Sequence, residues 1–128
     1  LKTLRAGSAI LVVAAAGILA VSFAILSPRP SPWTYAGRHL WAGGLANACV
    51  ALLLIAIAAV PLRRGEKWAF WAYVIPIAVY SLPIAILDTL YAPKDRLLLT
   101  LAPQFAGLAA AAVGLALCAM EIFGETPR

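Results

Sequence analysis

Four long apolar runs dictate what this chain can fold into. They extend from about Ala6 to Leu26, Trp41 to Leu62, Trp68 to Leu90 and Leu97 to Phe123, and a helix crossing a bilayer needs roughly 20 apolar residues. Spans of that size consume about 80 positions of a chain of 128, so only short connections and tails are left. The composition agrees. Apolar residues make up 64% and charged residues 12% of the sequence, against roughly 45–50% and 25% in soluble domains, and the mean hydropathy is +0.95. An ordinary soluble globular protein is excluded. The expected fold is an all-α integral membrane protein, one domain over residues 1–128, forming an antiparallel four-transmembrane-helix bundle.

Lys2 and Arg5 precede the first run as in a secretory signal. The run is longer than the roughly 7–15 residues of a signal core, and Ser27-Pro28-Arg29-Pro30 follows it in place of a small-residue cleavage site. It is therefore expected to be a retained span. Residues 27–40 carry three prolines, which fix φ and lack the backbone donor, so this stretch is expected to be a loop or an interfacial segment. Pro61 and the charged residues Arg63 to Lys67 end the second run, and residues 91–96 separate the third from the fourth. Short turns between spans favour an up-down arrangement.

Six basic residues (Lys2, Arg5, Arg63, Arg64, Lys67, Arg128) fall on one face and four (Arg29, Arg38, Lys94, Arg96) on the other. The positive-inside rule then directs both termini and the 63–67 turn to the cytoplasm, with dual insertion as the competing topology. Trp68, Phe70, Trp71 and Tyr73 on that face, and Trp33, Tyr35, Trp41 and Tyr91 on the other, fit two aromatic belts. The two hairpins differ in loop length, proline content and polar positions, which argues against an inverted-repeat transporter.

The segment Arg63-Arg64-Gly65-Glu66-Lys67-Trp68-Ala69-Phe70-Trp71 resembles the R-R-G-E-x-W-A-x-W hairpin turn of bacterial four-span membrane proteins grouped loosely with DoxX-like proteins. Glycine permits the tight turn, the cations meet headgroups and tryptophan anchors the next helix. The resemblance implies a bacterial cytoplasmic (inner) membrane protein and carries over no catalytic residue.

Counting from the outer ends at about 1.5 Å per residue puts Asn47 and Gln104 roughly 10 Å deep, with Ser22, Ser81 and Asp88 in the same half. Ser81 and Asp88 are seven apart and share a face, as do Thr100 and Gln104. Pro83 frees the carbonyl of Val79 and Pro103 that of Leu99, and such carbonyls in lipid need partners. Asn47, Tyr80, Ser81, Asp88 and Gln104 are thus expected to line a ligand-binding pocket toward the outer leaflet, roofed by residues 27–40. Each polar residue taken singly also has a structural reading, as interhelical glue worth about 1 kcal/mol. Asp88 is close enough to the interface to pair with Arg38, Lys94 or Arg96, and Glu121 reads as an interfacial charge.

His39 is the only histidine, so bis-histidine haem ligation by one chain and a histidine-rich metal centre are both excluded. Cys49 and Cys118 lie about 12 Å and 30 Å from the outer ends of their helices, too far apart for a disulfide, which needs Cα atoms within about 7 Å. Both are expected to be small packing residues. Gly17, Ala20 and Ala24, Gly44 and Ala48, and Gly107, Ala111 and Gly114 form stripes suited to close helix approach. No catalytic residue, metal or cofactor is expected.

The reading that follows is a small bundle that binds, or binds and moves, a lipid-like or amphipathic molecule in the outer-half pocket, its tail along the aliphatic inner half. The alternative is a non-catalytic accessory subunit of a larger membrane complex. An enzyme has the least support, because paired intramembrane carboxylates and an activated nucleophile are missing. Membrane lipids, an amphipathic small molecule, a second copy or a larger membrane complex are the expected partners, and nucleic acid is not. A small multidrug exporter is disfavoured by a first span without a carboxylate, and a fluoride channel by the lack of its polar pore pattern.

Overall fold

The computed structural model describes residues 2–27, 29, 31–91 and 97–124, including all their side chains except those of Ile25 and residues 97–100. The expected 92–96 turn, Lys94 and Arg96 as partners for Asp88, the Thr100 side chain, Pro28, Pro30 and Arg128 lie outside the described residues. The described chain is all-helical: α1 is Lys2–Leu26, α2 Tyr35–Ala59, α3 Lys67–Pro76, α4 Leu82–Tyr91 and α5 Leu97–Phe123. A π-helical segment, Ile77–Ser81, joins α3 to α4 into one rod. Four helices are long and apolar enough to cross a membrane: Lys2–Ala24, Tyr35–Arg64, Lys67–Tyr91 and Leu101–Phe123.

Thr34 explains why α2 begins at Tyr35 and not near Trp41. Its extended backbone (φ −95°, ψ 151°) stops the helix, and its Oγ1 accepts a 3.0 Å bond from the Gly37 N–H, an N-cap that satisfies an otherwise orphaned donor. Gly37 must lack a side chain, because a Cβ there would lie 1.8 Å from the Ser31 carbonyl oxygen. The connection is therefore shorter than the 27–40 loop the prolines suggest. At the other end Pro61 starts a tight turn through Leu62–Arg64, which Gly65 closes in the left-handed region (φ 78°) while donating to the Leu62 carbonyl at 2.9 Å. Only glycine takes that conformation without strain.

Contacts along the helices establish the antiparallel order. Ser8 donates to the Ala58 carbonyl at 2.5 Å while Gly44, toward the opposite end of α2, packs on Leu26, so α1 and α2 run oppositely. Gly7 meets Gly114 and Cys118, which makes α5 antiparallel to α1 as well. Aromatic contacts of Phe70 and Trp71 with Phe123 join α3 to the end of α5, and Lys67 sits 5.8 Å over the Phe123 ring. Helix α1 is the hub, packed along α2 and α5, whereas the α3–α4 rod touches its neighbours mainly near its ends.

Packing is uneven along the bundle axis. Leu4, Leu11, Leu54, Ala58, Leu62, Ala69 and Cys118 are buried in the half that carries Gly65, and the Tyr73 hydroxyl ties α3 to α1 by donating to the Leu11 carbonyl at 2.8 Å. The other half is looser. Along the whole length of the bundle, large apolar side chains such as Val13, Phe23, Ile75, Val79, Leu90 and Met120 are exposed, a distribution that water would penalise and hydrocarbon would not.

Candidate functional site

Two prolines seven residues apart shape the rod. Pro76 has no N–H, and beyond it Ile77 donates to Val74, a shortened 3₁₀-type bond. Leu82 then donates to Ile77, a widened π-type bond, just before Pro83. Where proline chemistry alone suggests kinks, the chain absorbs the lost donors by re-spacing its ladder, as transmembrane helices with interior prolines do. Tyr80 and Ser81 lie in this widened segment, which is a frequent feature of functional sites.

Beside it lies a cleft of about 160 Å³ bounded by α1, the rod and α5, with Asn47 the one α2 residue in its lining. Gly17 and Gly107 create much of the space: a Cβ at either would meet nothing within 4 Å. Ala14, Tyr73 and Ala111 form the end nearest the packed half, and Val21 and Gln104 stand toward the opposite end of the bundle. Ile18, Ile84 and Leu108 supply apolar walls. Helix α2 packs on α3 and hardly on α4.

Four of the five expected site residues, Asn47, Tyr80, Ser81 and Gln104, come together in this lining. Asp88 does not line it. It is half-buried behind Gln104, whose Nε2 donates to Asp88 Oδ2 at 2.5 Å, and among the described residues no cationic side chain pairs with it. The opposite edge of that amide, Gln104 Oε1, is buried with no hydrogen-bond partner. The side chains of Asn47, Tyr80 and Ser81 make no hydrogen bond among the described residues, so the lining presents several uncommitted polar groups. Ser22, at the same depth, is instead consumed locally by donating to the Ile18 carbonyl at 2.9 Å.

Several expectations are corrected here. None of the described residues of 27–40 lines the cleft, so they do not form the expected roof. The aliphatic inner half is a filled core and offers an acyl tail no path. Tyr73 is no belt residue; it lies about 200° around the helix from Trp71, and burial plus its bond to Leu11 make it a cross-brace. Gly17 and Gly107 belong to no packing seam but to the cleft, whereas Gly44 and Gly114 do allow close approach, to Leu26 and to Leu11. Cys118 is buried as a packing residue, but Cys49 is exposed, and both are free thiols.

No family model matches the chain, and neither a curated protein nor a solved structure matches it. The functional reading therefore rests on the geometry of the cleft. Three lining residues expected in other roles, Gly17 and Gly107 in packing stripes and Tyr73 in a belt, differ in how visible their place was. Tyr73 carried a signal, its angular position opposite Trp71. The two glycines carried none, since a missing side chain reads the same in a seam and in a void.

Proposed function

We propose that this chain is a small membrane-integral bundle that binds one end of a lipid-like or amphipathic molecule in the cleft between α1, the α3–α4 rod and α5. The observation that carries the reading is the meeting of Asn47, Tyr80, Ser81 and Gln104, from three helices, in one largely apolar cleft. A few polar groups converging in an apolar concavity is the usual form of a small-molecule site. Helix glue does not account for them, because the side chains of three of the four bond to nothing among the described residues and the fourth keeps a buried acceptor unpartnered.

Size limits the occupant. A cleft of about 160 Å³ is close to the roughly 150 Å³ cavity that accepts a benzene ring, so it takes a head or terminal group and not a whole acyl chain. The remainder of the ligand leaves the cleft toward the surrounding hydrocarbon. In the bilayer we place both termini and the Gly65 turn on the cytoplasmic side of a bacterial inner membrane, supported by the basic bias and by the resemblance of the 63–71 turn. The cleft then belongs to the outer half.

Gentle detergent extraction followed by native mass spectrometry and lipid analysis tests the reading. The wild-type chain should retain a small molecule, and Gly107→Leu, which fills the cleft from a position with free space around it, should lose it with helicity unchanged. Retention that Gly107→Leu leaves intact rules out the cleft. Recovery of a stoichiometric protein partner and no small molecule favours an accessory subunit instead.

A further inference from the structure

Arginines from two parts of the chain meet at the end of the bundle that carries Gly65. Arg63 and Arg64 stand on the turn Leu62–Arg64, and with Arg5 of α1, Ala59 and Val60 they line a second, open cleft of about 460 Å³. The backbone around them is held in place. Ser8, three residues after Arg5, bonds to the Ala58 carbonyl, Leu4 packs over Gly65, and the Arg64 N–H donates to the Val60 and Pro61 carbonyls. The described carboxylates are engaged elsewhere: Glu66 accepts from the Trp68 indole, Glu121 from Thr3 and Asp88 from Gln104. The three guanidinium groups therefore have no acidic partner among the described residues, and like charges gathered in one cleft repel. An anion relieves that repulsion, and the planar fork of arginine matches the oxygens of a phosphate.

We propose that this second cleft binds the phosphate of an anionic phospholipid, a site separate from the cleft of α1, the rod and α5 and independent of how that one is read. Its surroundings favour a lipid over a free phosphate. Ala59 and Val60 bring apolar surface into the lining, and seven residues back along the same faces of α2 stand Leu52 and Leu53. Val60, Leu52 and Leu53 are all exposed, so acyl chains attached to the phosphate continue along them into the hydrocarbon. A zwitterionic head is disfavoured, because its ammonium brings a fourth positive charge to the arginines. Basic pockets between helices at the membrane surface recognise anionic heads by this chemistry.

The test uses the delipidated full chain in a mild nonionic detergent with added dioleoylphosphatidylglycerol or dioleoylphosphatidylethanolamine, binding being read by native mass spectrometry. One phosphatidylglycerol should bind saturably, about tenfold more tightly than phosphatidylethanolamine. Each basic residue lost near a membrane surface weakens such attraction about fivefold, so Arg5→Gln should bind about fivefold and the double variant Arg63→Gln, Arg64→Gln about 25-fold more weakly. Helicity should be unchanged, because all three side chains are exposed. Lys67→Gln is the control: it removes a charge at the same end, but Lys67 sits over the Phe123 ring and outside the cleft lining, so binding should hardly change. A loss in Lys67→Gln equal to that in Arg5→Gln means a diffuse basic surface and overturns the site, as does equal binding of the two lipids. Displacement of phosphatidylglycerol by equimolar glycerol 3-phosphate overturns the lipid as occupant in favour of a soluble phosphate ester. A phospholipid held here survives Gly107→Leu and is lost with Arg63 and Arg64, whereas the occupant of the other cleft does the opposite, so either site can fail without the other.

Discussion

Gly7→Ala and Gly107→Ala add the same methyl group to the bundle and should shift its stability in opposite directions. At Gly7 the new Cβ would lie 2.8 Å from the Gly114 carbonyl oxygen and 2.8 Å from Cys118 Sγ, where ordinary contact begins at 3.4 Å. The oxygen is backbone, so no rotamer change relieves it; α1 and α5 must move apart, loosening Leu11 and Cys118, both fully buried. Overpacking of this kind costs about 1–3 kcal/mol. Replacing a helical glycine by alanine returns about 1 kcal/mol, leaving Gly7→Ala destabilised by up to about 2 kcal/mol. At Gly107 the clash is absent, because nothing lies within 4 Å of the added Cβ, and only the favourable propensity remains. The two variants should therefore differ by about 2 kcal/mol, roughly 30-fold in the folded-to-unfolded ratio. Titration with sodium dodecyl sulfate in mixed micelles, followed by circular dichroism, resolves a difference of that size. Gly107→Ala no more stable than Gly7→Ala would refute the assignment of Gly7 to a seam and Gly107 to a void.

Tyr73→Phe removes a buried O–H that donates to the Leu11 carbonyl at 2.8 Å; since that carbonyl lies inside α1, the loss should be about 1 kcal/mol, measured in the same titration. Ser8→Ala, which deletes the bond to the Ala58 carbonyl, should cost about 0.6–1 kcal/mol, and a loss above about 2 would point to a larger polar network at the α1–α2 contact. Native protein run on a non-reducing gel should show no intramolecular disulfide, as Cys49 and Cys118 are both free; a bridged monomer would contradict the helix registers. In a cysteine-free background, a thiol introduced by Ser31→Cys should react with an impermeant maleimide in intact cells while Arg64→Cys reacts only after permeabilisation, and the reverse pattern inverts the proposed orientation.

The spans were legible because their information is local. Apolar runs of bilayer length, the charged 63–67 turn and the glycine at its left-handed position need no partner to be recognised, and α5 begins and ends where its apolar run does. Thr34 also carries a local signal, a capping side chain three positions before Gly37, although the prolines that precede it favour a longer loop. Depth counting brought Asn47, Tyr80, Ser81 and Gln104 to one level, since rise per residue is fixed in any helix.

Contacts between helices belong to the tertiary structure. Whether Gly17 or Gly114 faces a void depends on how far a neighbouring helix stands from it, and that distance is set by side chains elsewhere: Tyr73 bracing the rod against α1 at one end, and Phe70 and Trp71 against Phe123. The π-helical segment likewise reflects two prolines sharing one rod, where each alone predicts a kink. Asp88 shows the division most clearly. Its charge and depth were visible in the sequence, but its contact with Gln104, sixteen residues away on another helix, was not. A side chain's partner is decided by which helix faces its own and at what height, and in this bundle that came from packing around α1.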